Sequence, residues 1–199
     1  VPAPTSADWG PDGRLYVGTL DGEIWAITFD DAWNAVAIDT YAGVSGLPNS
    51  NILGIAFSPF DNASPPRLHV GHGWHYADGG GAVTQPSTYW GQVSVLEGPS
   101  FASPQPLVTG LPQPNTGHAV NGLQFDHNGD LLIAMGSTSN AGIQWITMGD
   151  LPESPLSAAI VKAQTSRADF AGAVEYVHAT TGLPVTAQLL GEVSLLAPG

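Results

Sequence analysis

The sequence predicts an all-β chain of β-propeller type, and three observations carry that expectation. A short phrase recurs: Gly13-Arg14-Leu15-Tyr16-Val17-Gly18 is echoed by Pro66-Arg67-Leu68-His69-Val70-Gly71 and by Gly129-Asp130-Leu131-Leu132-Ile133-Ala134. Each copy follows an apolar run and a turn rich in Pro, Asp, Asn and Gly, namely Trp9-Gly10-Pro11-Asp12, Ile55-Ala56-Phe57-Ser58-Pro59 and Leu123-Gln124-Phe125-Asp126-His127-Asn128. Asp-Gly and Asn-Gly accept the positive φ that tight hairpin turns require, so each unit reads as a β-hairpin. The copies recur at roughly fifty to sixty residues, as successive propeller blades enlarged by loops would.

Residues 5–29 form the clearest blade segment. Leu15, Val17 and Thr19 alternate with Tyr16 and Gly18, and Asp21-Gly22 turns the chain into the run Glu23 to Phe29. That run is apolar on both faces, which suits a strand enclosed between neighbouring blades. Residues 30–51 read as a less regular connection. A second blade is expected over about 52–97, with a Gly-rich insertion from His72 to Gln85, and a third from near His118 to about Ala163. The stretch 165–181 is polar and mixed, and Gly191 to Leu196 starts another strand. No linker divides the chain, so residues 1–199 read as one folding unit.

Composition bounds the function. Four Lys and Arg against seventeen Asp and Glu give a formal charge of −13, which repels nucleic-acid phosphates and anionic lipid. No apolar run approaches the ~20 residues of a membrane-spanning helix. The chain has no cysteine, which excludes disulfides and thiolate chemistry. A single lysine, Lys162, and the glycosylation acceptor Asn62-Ala63-Ser64 point to an extracellular or periplasmic address.

Several residues stand out chemically. His69, His72 and His75 are spaced like metal ligands, but residues three apart on a strand face opposite ways, so no metal site is expected there. The acidic turns Pro11-Asp12-Gly13 and Asn128-Gly129-Asp130 lack the run of oxygen ligands Ca²⁺ needs, and read as hairpin turns. Trp74, Tyr76, Tyr89 and Trp90 flank the Gly-rich insertion, where aromatic faces stack on sugar rings or cover the propeller rim. Trp74 is the substrate-binding candidate among them. The polar stretch Gly136 to Gly142 leaves the third hairpin with hydroxyls and an amide suited to carbohydrate or to closing a turn.

The run Pro4 to Val17 resembles the opening strand of the glucose/sorbosone dehydrogenase family. Ile52 to Pro59, Gly117 to Phe125 and Pro155 to Ala163 match the family in the same order. The resemblance implies a six-bladed ring of four-stranded antiparallel blades, of which this chain holds roughly three. It also implies oxidation of aldose sugars with pyrroloquinoline quinone and Ca²⁺. His118 falls at the family's proton-accepting histidine, and an imidazole suits that task near neutrality. Asn49 falls at a polar position facing the substrate, and Asn121, in the motif of His118, is a further expected substrate contact. The chain also departs from the family. Gly117 stands where the enzymes carry an acid, and the cationic and amide residues that hold the quinone belong to later blades. Only Arg14, Arg67, Lys162 and Arg167 are cationic here, and none lies in such a motif. No cofactor is therefore expected on this chain alone. The remaining blades are expected on the same or another chain, because an open ring exposes strand edges and apolar faces. A second reading is a secreted, non-catalytic propeller serving as a structural, protein-interaction or carbohydrate-binding module.

Overall fold

The computed structural model describes residues 1–61, 66–74, 90–113, 118–139, 141–145, 153–178 and 193–196. It is built of antiparallel sheets. The first holds β1 (Pro4–Trp9), β2 (Leu15–Thr19), β3 (Ile24–Phe29) and β4 (Ala35–Tyr41) in sequential order. The second holds β5 (Asn51–Phe57), β6 (Leu68–Gly73), β7 (Gly91–Glu97) and β8 (Ser103–Leu111), again in sequential order. The third pairs β9 (Val120–Phe125), β10 (Leu131–Met135) and β11 (Ile160–Ala163). A two-stranded pair, β12 (Glu175–His178) and β13 (Val193–Leu196), follows. The recurring phrase is the second strand of each main sheet: Leu15, Leu68 and Leu131 open β2, β6 and β10.

Two expectations change. Residues 30–51 are not a mere connection, since β4 lies within them, and the second blade runs past 97 to take in β8. Both are outermost strands. β4 is solvent-exposed along nearly its whole length, so it lacks the buried alternation that marks a strand in sequence. β8 carries Pro104 and Pro106, which an edge strand tolerates because it need not donate from every residue.

The first strands β1, β5 and β9 pack side by side as the inner edges of successive blades. Their seam explains two polar side chains. Ser6 Oγ accepts from the Ile55 backbone N–H at 3.1 Å, and the Asp8 carboxylate accepts from Phe57 N–H at 2.9 Å. These donors face away from their own sheet's ladder, and burying them unpaired would cost about 1–3 kcal/mol each. Where β5 meets β9 the backbones nearly touch: a Cβ on Gly54 would lie 1.9 Å from the Asn121 carbonyl oxygen, so only glycine fits.

The second sheet is enclosed on both faces. Ile55, Leu68, Val70 and Leu96 pack with Tyr16, Ile24 and Ala26 of the first sheet. Ala56, Val93, Val108 and Leu111 pack with Val120, Leu123, Leu131 and Ile133 of the third. The first sheet's far face is open: Trp9 and Ile38 are 48% and 53% exposed. An apolar cleft of about 290 Å³, lined by Leu111, Ile133, Ile160, Phe170 and Val174 among others, opens on the third sheet. The sheets form a radial stack that does not close, an incomplete propeller.

Candidate functional site

The sheets have two rims. At one, the ends of β1, β5 and β9 and the starts of the strands paired with them bring together the charged side chains. Arg14 binds Asp12 at 2.8 Å and Asp39 at 3.0 Å. Arg67 binds Asp61 at 2.7 Å, and Arg167 binds Asp169 at 2.7 Å. Lys162 lies between Asp126 and Asp130, 2.8 Å from each. That ammonium and the backbone donors of the turn hold the Asp126 carboxyl at about 2, well below its ordinary value. All four Lys and Arg residues of the chain are thus paired at this rim.

The opposite rim is uncharged over most of its described residues and carries the candidates. It gathers the residues just before β5, β7 and β9 and just after β6, β8 and β10. Hydrogen bonds tie them in sequence around the edge. Asn49 Nδ2 donates to the Trp90 carbonyl at 3.2 Å. The Trp90 ring lies against Trp74, centroids 5.7 Å apart and planes tilted by 32°. Gln113, fully buried, donates through Nε2 to the Trp74 carbonyl at 2.7 Å and to the His118 carbonyl at 3.3 Å. The Trp74 indole N–H is buried and makes no hydrogen bond among the described residues.

Behind Asn49 sits His72, fully buried. Its Nδ1 lies 2.6 Å from the Asn49 carbonyl and its Nε2 lies 2.9 Å from Ser94 Oγ, which also accepts from Gln92 Nε2 at 2.7 Å. A carbonyl only accepts, so Nδ1 donates and Nε2 accepts. Burial lowers the pKa of this imidazole, in keeping with a neutral ring that fixes the Asn49 loop. His69, three residues earlier, packs on the opposite side against Phe125, with ring centroids 4.8 Å apart. No cluster that could hold a metal ion occurs among the described residues, while His75 lies outside them.

His118 is half-buried at the entrance to β9. Its Nδ1 lies 3.3 Å from the Ser137 backbone carbonyl and 2.8 Å from Ser137 Oγ. The Ser137 hydroxyl donates to the Ser139 carbonyl at 2.7 Å, so its oxygen is left to accept from His118. Both contacts require Nδ1 to carry the proton, which makes Nε2 the bare acceptor of the neutral ring. Nε2 itself makes no hydrogen bond among the described residues. Gly136 permits this placement: a Cβ there would lie 2.5 Å from that of His118.

Asn121 lies on β9, half-buried, with its carbonyl against Gly54, and joins no side-chain hydrogen bond of this rim. Gly117, Asn62, Tyr76, Tyr89 and Asn140 lie outside the described residues. Gln113 and Glu153 were not foreseen from sequence. Gln113 stands alone after an apolar strand, and Glu153 is fourteen or more residues from the groups it binds in the turn after β10, so neither has a local motif.

No protein-family model matches the chain, and no curated protein matches its sequence. Solved structures do. The PQQ-bound aldose sugar dehydrogenase of Streptomyces coelicolor superposes with a TM-score of 0.58 over 94% of this chain and 49% of its own, at 18% identity. A glucose dehydrogenase-type oxidoreductase of Thermus thermophilus gives 0.52 over 80% of this chain and 43% of its own, at 20% identity. A further glucose dehydrogenase gives 0.52 over 86% and 45%, at 16% identity. The fold is therefore that of the sugar dehydrogenase propellers, and the chain spans less than half the length of these structures.

The described rim does not fit pyrroloquinoline quinone by itself. A tricarboxylate needs cationic partners to offset its desolvation, and every cation of this chain is held by carboxylates at the other rim.

Proposed function

We propose that the uncharged rim binds an aldose sugar and supplies the proton acceptor for its oxidation, as part of a glucose dehydrogenase-like propeller. The observation that supports this reading is the orientation of His118, whose Nδ1 is tied down and whose Nε2 has no partner among the described residues. An imidazole held so can take the proton of a sugar's anomeric hydroxyl and become the imidazolium, keeping its bond to Ser137 throughout. Trp74 and Trp90 offer apolar ring surface for a neutral polyhydroxylated ligand. Asn49 and Asn121 are proposed as further hydroxyl contacts. Partners for the quinone's carboxylates, and Ca²⁺ ligands, would come from outside these residues.

The open apolar faces, with Trp9 exposed on the first sheet and Ile160 75% exposed on the third, support completion by further blades on the same or another chain. Cooperative melting of a strictly monomeric 199-residue species would refute that completion. The test of the catalytic reading is aldose-dependent dye reduction by the ring-complete protein supplied with pyrroloquinoline quinone and Ca²⁺. Turnover abolished by His118→Ala is expected; turnover unchanged by it would sink the reading.

The confinement of all four cations to the opposite rim favours a second reading, a secreted carbohydrate-binding or interaction module without redox chemistry. Sugar binding that quenches Trp74 and Trp90 fluorescence, with no turnover in the complete ring, would select it.

A further inference from the structure

We propose that Ser137 and Glu153 are positioning residues that together lock His118 in its Nδ1–H form. The inference deepens the proton-accepting role given to His118 and rests on that reading. Glu153, from the segment that leads into β11, reaches back to the turn that follows β10. Its Oε2 accepts from Thr138 N at 3.2 Å and Thr138 Oγ1 at 3.3 Å, and its Oε1 accepts from Ser139 N at 3.1 Å. The hydroxyls of Ser139 and Ser157 close on the same two oxygens. The turn is also held from behind, where Ser154 N donates to Thr138 Oγ1 at 3.1 Å. Thr138 and Ser139 are buried to 1% and 0% exposure, so these donors have no access to bulk water as an alternative.

Burial alone would raise the Glu153 pKa, but the donors from Ser139, Ser157 and Thr138 outweigh it and hold the carboxyl below its ordinary value. An ionised carboxylate only accepts, which suits the two backbone N–H groups and three hydroxyls that converge on Glu153. The consequence runs outward. With the turn fixed, the Ser139 carbonyl accepts the Ser137 hydroxyl, and that orientation leaves the Ser137 oxygen as an acceptor for His118 Nδ1–H. Were the turn to relax, the Ser137 hydroxyl could rotate and donate to Nδ1, and the proton would move to Nε2. The face offered to a substrate would then be a donor, unable to accept a proton.

Glu153→Gln tests this, because an amide turns its NH₂ group toward donors and opens the turn. The chain with ¹⁵N-labelled histidine is examined near pH 8 by long-range ¹H–¹⁵N correlation, which reports the protonated ring nitrogen of His118 without sugar or cofactor. Losing a hydrogen bond of ordinary strength moves a tautomer ratio by roughly tenfold. We expect Nδ1–H to dominate in the wild type and to fall by about that factor in Glu153→Gln and in Ser137→Ala, with Ser137→Thr restoring it. An unchanged ratio in folded Glu153→Gln overturns the role of Glu153, and an unchanged ratio in Ser137→Ala overturns the whole arrangement. Should Glu153→Gln fail to fold, Ser139→Ala withdraws one donor from the carboxylate more gently. A shift in the same direction then supports the role, and none overturns it. A locked tautomer with no turnover in the ring-complete protein would count against the catalytic reading and leave this inference standing.

Discussion

His69 should make the protein lose stability in mild acid, over a window the structure sets. The imidazole is 9% exposed between the second and third sheets, edge-on to Phe125, and its Nδ1 has no hydrogen-bond partner among the described residues. Burial first, and then the nearby Arg67 guanidinium, push its pKa down to about 4 from an ordinary 6.5, against smaller opposing pulls from Asp61 and from a backbone hydrogen bond with Ala56. Because the folded value lies below the unfolded one, the unfolded chain binds the proton first as pH falls. Stability is complete above about 6.5 and drains away as pH drops toward 4. At 1.36 kcal/mol per pH unit of difference the full loss is about 3 kcal/mol, of which about 2 kcal/mol is gone by pH 5. Urea unfolding followed by tryptophan fluorescence at pH 7.5 and 5.0 measures it, with wild type and His69→Leu compared in the same oligomeric state. Leucine removes the titrating group and keeps the site apolar. The wild type should lose about 2 kcal/mol more than the variant between the two pH values. Equal losses, within about 0.5 kcal/mol, would show that His69 is protonated as easily in the folded protein as in the unfolded chain.

Three further outcomes follow from single contacts. Gly136→Ala places a Cβ 2.5 Å from that of His118 and should cost about 1–3 kcal/mol while displacing the imidazole; an unchanged melting temperature and an unchanged His118 tautomer would contradict the packing. Asp8→Ala leaves the Phe57 N–H on the inner seam without its acceptor and should cost about 1–3 kcal/mol by urea unfolding, with Asp8→Asn recovering much of it; a neutral Asp8→Ala would mean water replaces the carboxylate. Lys162→Met leaves Asp126 and Asp130 facing each other, so the Asp126 pKa should rise from about 2 and melting at pH 7 should fall, recovering on Asp130→Asn; carboxyl titration by NMR reads the first and calorimetry the second.

What was legible in the sequence follows from where water is excluded. β2, β6 and β10 announce themselves because each is buried between neighbours, and β2 and β10 follow tight turns with a positive-φ glycine at Gly13 and at Gly129. β4 and β8 are outer strands whose side chains answer to solvent or to an edge, so their composition carries little of the pattern. The same logic divides the site. His118 and the Ser137 turn sit in local motifs. Gln113 and Glu153 act on groups that are near only because β9, β10 and the segment leading into β11 fold against one another.

The repeat also shows how charge is managed from blade to blade. Position 14 of the first copy and position 67 of the second are arginines, each bound to an aspartate of its own turn, Asp12 and Asp61. The third copy carries Asp130 there, a reversal that would set two carboxylates together with Asp126. Lys162 repairs it from β11, the strand paired with β10. Each copy thus sets one cation against two carboxylates, by two different routes, and between them they use three of the chain's four cations. The fourth, Arg167, folds back on Asp169 at the same rim. The carboxylates of the turn rim hold all four cations and leave none for the rim of His118. On the proposed reading, a ligand meeting these residues alone would be selected by hydroxyl hydrogen bonds and aromatic surface rather than by attraction to a cation. Added salt should therefore leave the proposed sugar binding nearly unchanged, whereas binding that weakened steeply with salt would point to a charged ligand instead.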